Sequence, residues 1–110
     1  MSQQTQSEAV WTALSDPTRR AILERLTRGP TRVTDVAAPF DMSLNAVSKH
    51  IKVLEAAQLV RRTREGREHM LVLDPKPLRE VTRWASNIER FWSERLDRIE
   101  QFFEEKRKRK

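Results

Sequence analysis

At 110 residues the chain is long enough for one modest hydrophobic core and too short for two independent ones. It has no cysteine, which excludes disulfides, thiolate metal sites and thiol redox chemistry. The net charge of +6 is concentrated at one end: the last five residues, KRKRK, supply +5, leaving 17 basic and 16 acidic groups over residues 1–105, so bulk charge supports no more than weak, salt-sensitive attraction to a polyanion by a solvated tail.

The start, MSQQTQSE, is polar, and no apolar run approaches the roughly 20 residues that cross a bilayer. A soluble, cytoplasmic protein without membrane association is expected. In SEAVWTAL, Val10, Trp11 and Leu14 fall at helical spacing and predict a short first helix. Asp16-Pro17 then starts a second, with Asp16 as N-cap and Pro17 at the position where its missing N–H is harmless. That helix buries Ile22, Leu23 and Leu26, runs to about Arg28 and ends at Gly29-Pro30.

Thr34 is expected to cap a third helix, DVAAPF, with Val36, Ala37 and Phe40 turned inward and Pro39 keeping it short. The next cap, Ser43, follows across Asp41-Met42, which is helix-turn-helix spacing. In SLNAVSKHIKVL, Leu44, Val47, Ile51 and Leu54 gather on one face for burial. The other face carries Asn45, Ala46, Lys49 and Lys52, flanked by Ser48 and His50, and the twelve residues contain no carboxylate.

After Ala57 the period changes to that of strands. Residues 59–64 and 69–73 predict a two-stranded hairpin, or wing, joined through Glu65-Gly66-Arg67-Glu68, with Arg61, Arg62, Arg64 and Arg67 on its strand and tip. From Pro77 a long helix takes over, with Val81, Trp84, Ile88, Trp92, Leu96, Ile99 and Phe103 on one stripe. Its 22-residue span over six turns lies close to the 3.6 period, so the helix stays nearly straight. At about 45 Å it outruns what so small a domain can cover, and its stripe calls for a second chain. The chain thus reads as a single domain: a core at residues 9–76, a long helix at 77–105 and a basic tail at 106–110.

The ordered blocks ALSDPTRRAILERL, VTDVAAPFDMSLNAVSKHIKVLEAAQLV and RRTREGREH resemble the ArsR-type winged helix-turn-helix transcriptional repressors, over residues 9–75 by motif and over the last helix by character. The resemblance implies a mainly α fold, a winged helix-turn-helix with a two-stranded wing and a long C-terminal dimerisation helix. It also implies a homodimer built on the first and last helices: Val10, Trp11 and Leu14 from the first, with Trp84, Ile88, Phe91, Trp92, Leu96 and Ile99 from the last. Residues 44–57 would be the recognition helix, with the wing lying along DNA. Two departures stand out. Gln58 occupies the place of the family's glycine after the recognition helix. The metal-sensing members use a cysteine pair on the third helix or Asp and His on the last, and neither pattern is present here, so this chain is expected to belong to a branch without metal or other cofactor.

A helix in the major groove meets base edges ahead and phosphates on its flanks, so acids are repelled and small neutral or basic residues fit. Asn45 suits an adenine edge, Ala46 a thymine methyl, Lys49 guanine acceptors or phosphate. Ser43, Ser48 and Lys52 suit phosphate, as do Arg62, Arg64 and Arg67 of the wing. His50 has two readings, a phosphate donor or a boundary histidine bonded to nearby backbone. His69 with Glu65 and Glu68 reads as a solvated charged turn rather than a metal site. With glycines only at 29 and 66 and no catalytic constellation, no enzyme is expected. The expected function is a homodimeric repressor on double-stranded operator DNA, with Trp84, Phe91 and Trp92 as a place for a small-molecule or protein effector. The alternative is a winged-helix module for protein or RNA contact that binds polyanions without sequence preference.

Overall fold

The structure, a computed structural model, describes residues 3–108, with side chains from Thr5 onward. Arg109 and Lys110 of the basic tail lie outside the described residues. The order is α1 (Gln3–Leu14), α2 (Pro17–Leu26), β1 (Thr31–Arg32), α3 (Val33–Ala37), α4 (Leu44–Ala56), β2 (Val60–Glu65), β3 (Glu68–Leu73) and α5 (Leu78–Lys108). The chain divides into two compact units at Arg79–Glu80.

In the first unit the caps do what their residue types dictate. Asp16 accepts the Arg19 backbone N–H at 3.0 Å and starts α2, and Ser43 Oγ accepts the Ala46 N–H at 3.1 Å and starts α4. The end of α4 closes as a Schellman motif: the Leu59 N–H donates to the Leu54 carbonyl and the Gln58 N–H to the Glu55 carbonyl. That motif needs a left-handed residue, and Gln58 supplies it at φ 61°. The core gathers Ile22, Leu23 and Leu26 from α2, Val36 from α3, Val47, Ile51 and Leu54 from α4, and Leu59, Val60 and Leu71 around the sheet.

Several sequence expectations are corrected. The sheet has three antiparallel strands in the order β1-β3-β2, not two; Thr31 pairs with Leu71 and Arg32 with Met70. The first arm of the hairpin is shifted by one residue toward the turn and the second begins one residue earlier, with Glu65 opposite Glu68 and a Gly66-Arg67 loop. Gly66 takes φ 63° while Arg67 does not take a positive φ, which fits a turn with glycine at its first central position. α3 begins at Val33 directly from the strand, with Arg32 at the N-cap and no side-chain cap bond, so Thr34 is inside the helix and Pro39 and Phe40 are beyond it. α1 starts earlier than expected, and α2 ends at Leu26. Leu44 is 53 % exposed, not core.

In the second unit α5 runs through Lys108, so the first three tail residues are helical rather than a loose end. None of its residues is buried. Arg95 lies over the Phe91 ring at 4.5 Å and Lys106 over Phe102 at 5.0 Å, so these cations lie against the aromatic side of the helix.

Candidate nucleic-acid interface

α4 is held from behind and left open in front. Val47, Ile51 and Leu54 are fully buried, and Gln6 of α1 donates to the Ala57 carbonyl at 2.8 Å, tying the far end of the helix down. Asn45, Lys49 and Lys52 are exposed and engage no other described side chain. Ala46 and Ser48 are partly covered at the edges of this face. The Ser43 oxygen is used as a cap, and its hydroxyl hydrogen remains free to donate.

The single acid of α4, Glu55, is neutralised by Arg62 of the wing, Nε to Oε1 at 3.0 Å. This pair is about one-third exposed, so its contribution to stability is at most about 1 kcal/mol. Its electrical effect matters more, since it removes the only negative charge from the helix. The same bond commits one of the Arg62 donors to α4. Arg64 Nε donates to the Gly66 carbonyl at 3.1 Å, bracing the turn, and Arg67 is exposed at the tip. From β1, Arg32 donates to Glu68 at 2.8 Å and to Asp35 at 3.1 Å, so Glu68 is also matched by a cation.

His50 is not the backbone-bonded boundary histidine of its second reading. Its ring contacts side chains rather than backbone: Nδ1 lies 3.1 Å from Arg19 Nη1 and 3.8 Å from Asp16 Oδ2. The Arg19 N–H at the cap holds the Asp16 carboxyl below its ordinary range, with His50 and the Arg19 charge adding to the effect. Arg19, Glu55 and Arg32 carried no functional signal in the sequence, because their partners lie 31, 7 and 36 residues away.

Of the residues expected at a dimer seam, Val10 is only 2 % exposed and belongs to the core of the first unit, so it has almost no area to offer a second chain. Leu14 is half-buried and Trp11 exposed. Trp84, Ile88, Phe91, Trp92, Leu96 and Ile99 are all exposed along α5, together with Phe102 and Phe103. His69 is exposed on β3, and among the described residues no group of three or more potential metal ligands comes together. No described helix is long and apolar enough to cross a membrane.

Comparison with known proteins agrees with this geometry. A family model described as a helix-turn-helix domain matches residues 14–63. The chain is 40 % identical over 96 residues to the HTH-type transcriptional regulator Rv2034 of Mycobacterium tuberculosis, covering 87 % of each chain. It is similar to the crystal structure of the ArsR family transcriptional regulator RHA00566, with TM-score 0.73 and 38 % identity over 82 % of this chain and 93 % of that one. A solution structure from Mycobacterium bovis, described as a homodimeric winged helix-turn-helix DNA-binding domain of a possible ArsR-family regulator, matches with TM-score 0.61 and 26 % identity over 84 % and 83 % of the two chains. With its capped helix pair, its basic wing and a relative this similar over nearly the whole length, the chain belongs to the ArsR-type family of winged helix-turn-helix transcriptional regulators.

Proposed function

We propose that the protein is a homodimeric, sequence-specific repressor that reads an inverted repeat in double-stranded DNA through α4 and the wing. The observation that carries this reading is the open face of α4: Asn45, Lys49 and Lys52 are exposed, unpaired and small enough at Ala46 to let the helix approach base edges. Asn45 reads an adenine edge and Lys49 reaches guanine acceptors or phosphate. Ser43, Ser48, His50, Lys52, Arg62, Arg64 and Arg67 hold the backbone. Lys49 and the wing arginines also make the affinity salt-dependent.

Dimerisation is supported by α5. Covering the exposed parts of its large apolar side chains is worth on the order of 10 kcal/mol before the cost of association. The M. bovis neighbour is described as homodimeric. A two-fold dimer sets its recognition helices in successive major grooves, about one DNA turn apart, over a palindromic site. Occupancy of such a site near a promoter excludes polymerase, and no catalytic step is required of the protein.

The test is a gel shift of duplex carrying the region upstream of the protein's own gene against scrambled duplex of equal length, at physiological salt. Preference for the upstream duplex by at least about a thousandfold is expected. Equal binding to both would leave the polyanion-binding module for RNA or protein contact as the better reading.

A further inference from the structure

The guanidinium of Arg19 is fixed at three points. Nε donates to the Ala13 carbonyl at 2.8 Å and Nη2 to the Thr12 carbonyl at 2.9 Å, so the end of α1 holds it in place, while Nη1 reaches His50 Nδ1 at 3.1 Å. An arginine only donates and does not lose its proton. The nitrogen it meets must therefore accept, which leaves the ring proton on Nε2. Asp16, the other charged group at the ring, is 3.8 Å from Nδ1, beyond a hydrogen bond, and its Oδ2 already accepts the Arg19 backbone N–H.

The other ring nitrogen, Nε2, has no partner among the described residues. Among the described residues no buried side-chain nitrogen or oxygen lacks one, so Nε2 is open to solvent, consistent with a side chain 23 % exposed. On α4, His50 lies between the buried row of Val47, Ile51 and Leu54 and the open face. A side chain at that boundary faces the flank of a groove-bound helix, where the phosphates run.

We infer that Arg19 is a positioning residue that holds His50 as the neutral Nε2–H tautomer, making it an uncharged donor to a phosphate oxygen beside α4. This rests on the DNA-binding reading above. A neutral donor displaces no counterion, so it adds affinity without adding salt dependence, unlike Lys49 or Arg67.

The test combines nitrogen NMR of the imidazoles in the full chain, near pH 8 where imidazoles are neutral, with DNA binding by H50F, H50Q, R19M and the H50F/R19M double variant. The His50 spectrum should show Nε2 protonated and Nδ1 bare. H50F should lower affinity by roughly three- to tenfold on upstream and scrambled duplex alike, with the salt slope unchanged, and H50Q, whose amide still donates, should keep most of the affinity. R19M should lose as much as H50F, and the double variant no more than either. A proton on Nδ1, undiminished binding by H50F, a reduced salt slope, or additive losses would each overturn the inference. The spectrum requires no variant, so the tautomer is decided even where H50F does not fold. Failure of the unaltered chain to bind any duplex would instead sink the DNA-binding reading.

Discussion

Asp16 and Ser43 occupy the same N-cap position, in α2 and α4, but only Asp16 changes charge with pH. Its carboxyl is held below the ordinary value by the N–H it accepts, so its contribution to stability is complete above the ordinary carboxylate range, near pH ~4. That contribution is lost as pH falls through the lowered value, because the unfolded chain then takes up the proton first. Asp16→Asn keeps a capping oxygen but cannot titrate. Thermal unfolding followed into acid should show Asp16→Asn close to the parent at neutral pH and less steeply destabilised below about pH 4. An unchanged acid limb would mean that other carboxylates govern it. Gln58 presents the opposite situation, a residue in a conformation that suits glycine. Relief of the left-handed strain exceeds the added freedom of the unfolded chain, so Gln58→Gly should raise stability by roughly 0.5–1 kcal/mol, measured as a shift in the denaturant midpoint at constant slope.

Among the elements, α4 on the proposed reading divides its work between residues that discriminate and residues that attract. Asn45→Ala should cost about 1–3 kcal/mol of discrimination at one base pair and leave the salt slope as it was. Lys49→Ala should instead lower the slope by about 1 if its main partner is phosphate; titrations of both variants over a range of salt separate the two roles. This helix was also the most legible in the sequence, because a serine cap, an apolar row at helical spacing and an acid-free face all indicate the same element. Its one misassigned residue, Leu44, stands at the first helical position, where side chains lean toward the N-terminus and no preceding turn lies beneath them. β1 was not legible, since two residues between Gly29-Pro30 and a helix are too few to display strand alternation. The contacts that tune the face, Glu55–Arg62 and Arg19–His50, join separate elements. They depend on which faces meet after folding, and local pattern contains no record of that.

For the molecule as a whole, charge and apolar surface are distributed unevenly. The large exposed apolar side chains are concentrated on α5, whereas the net charge depends heavily on the final five residues. Trp92 lies at the middle of the α5 stripe and is 54 % exposed. A charge placed there should not disturb the core of the first unit but should oppose burial against a second chain. Trp92→Glu is expected to sediment as a monomer at micromolar concentration, with helix content unchanged. A dimer of undiminished strength would move the seam elsewhere. The most direct measurement uses the absence of native cysteine: an Asp41→Cys chain carrying a hydroxyl-radical cleavage reagent at that single thiol, beside the start of α4, is bound to its upstream duplex. The account predicts two cleavage clusters centred about one helical turn apart, about 10 base pairs, with two chains bound per duplex. Cleavage spread evenly along the DNA, or none at all from a bound complex, would contradict it.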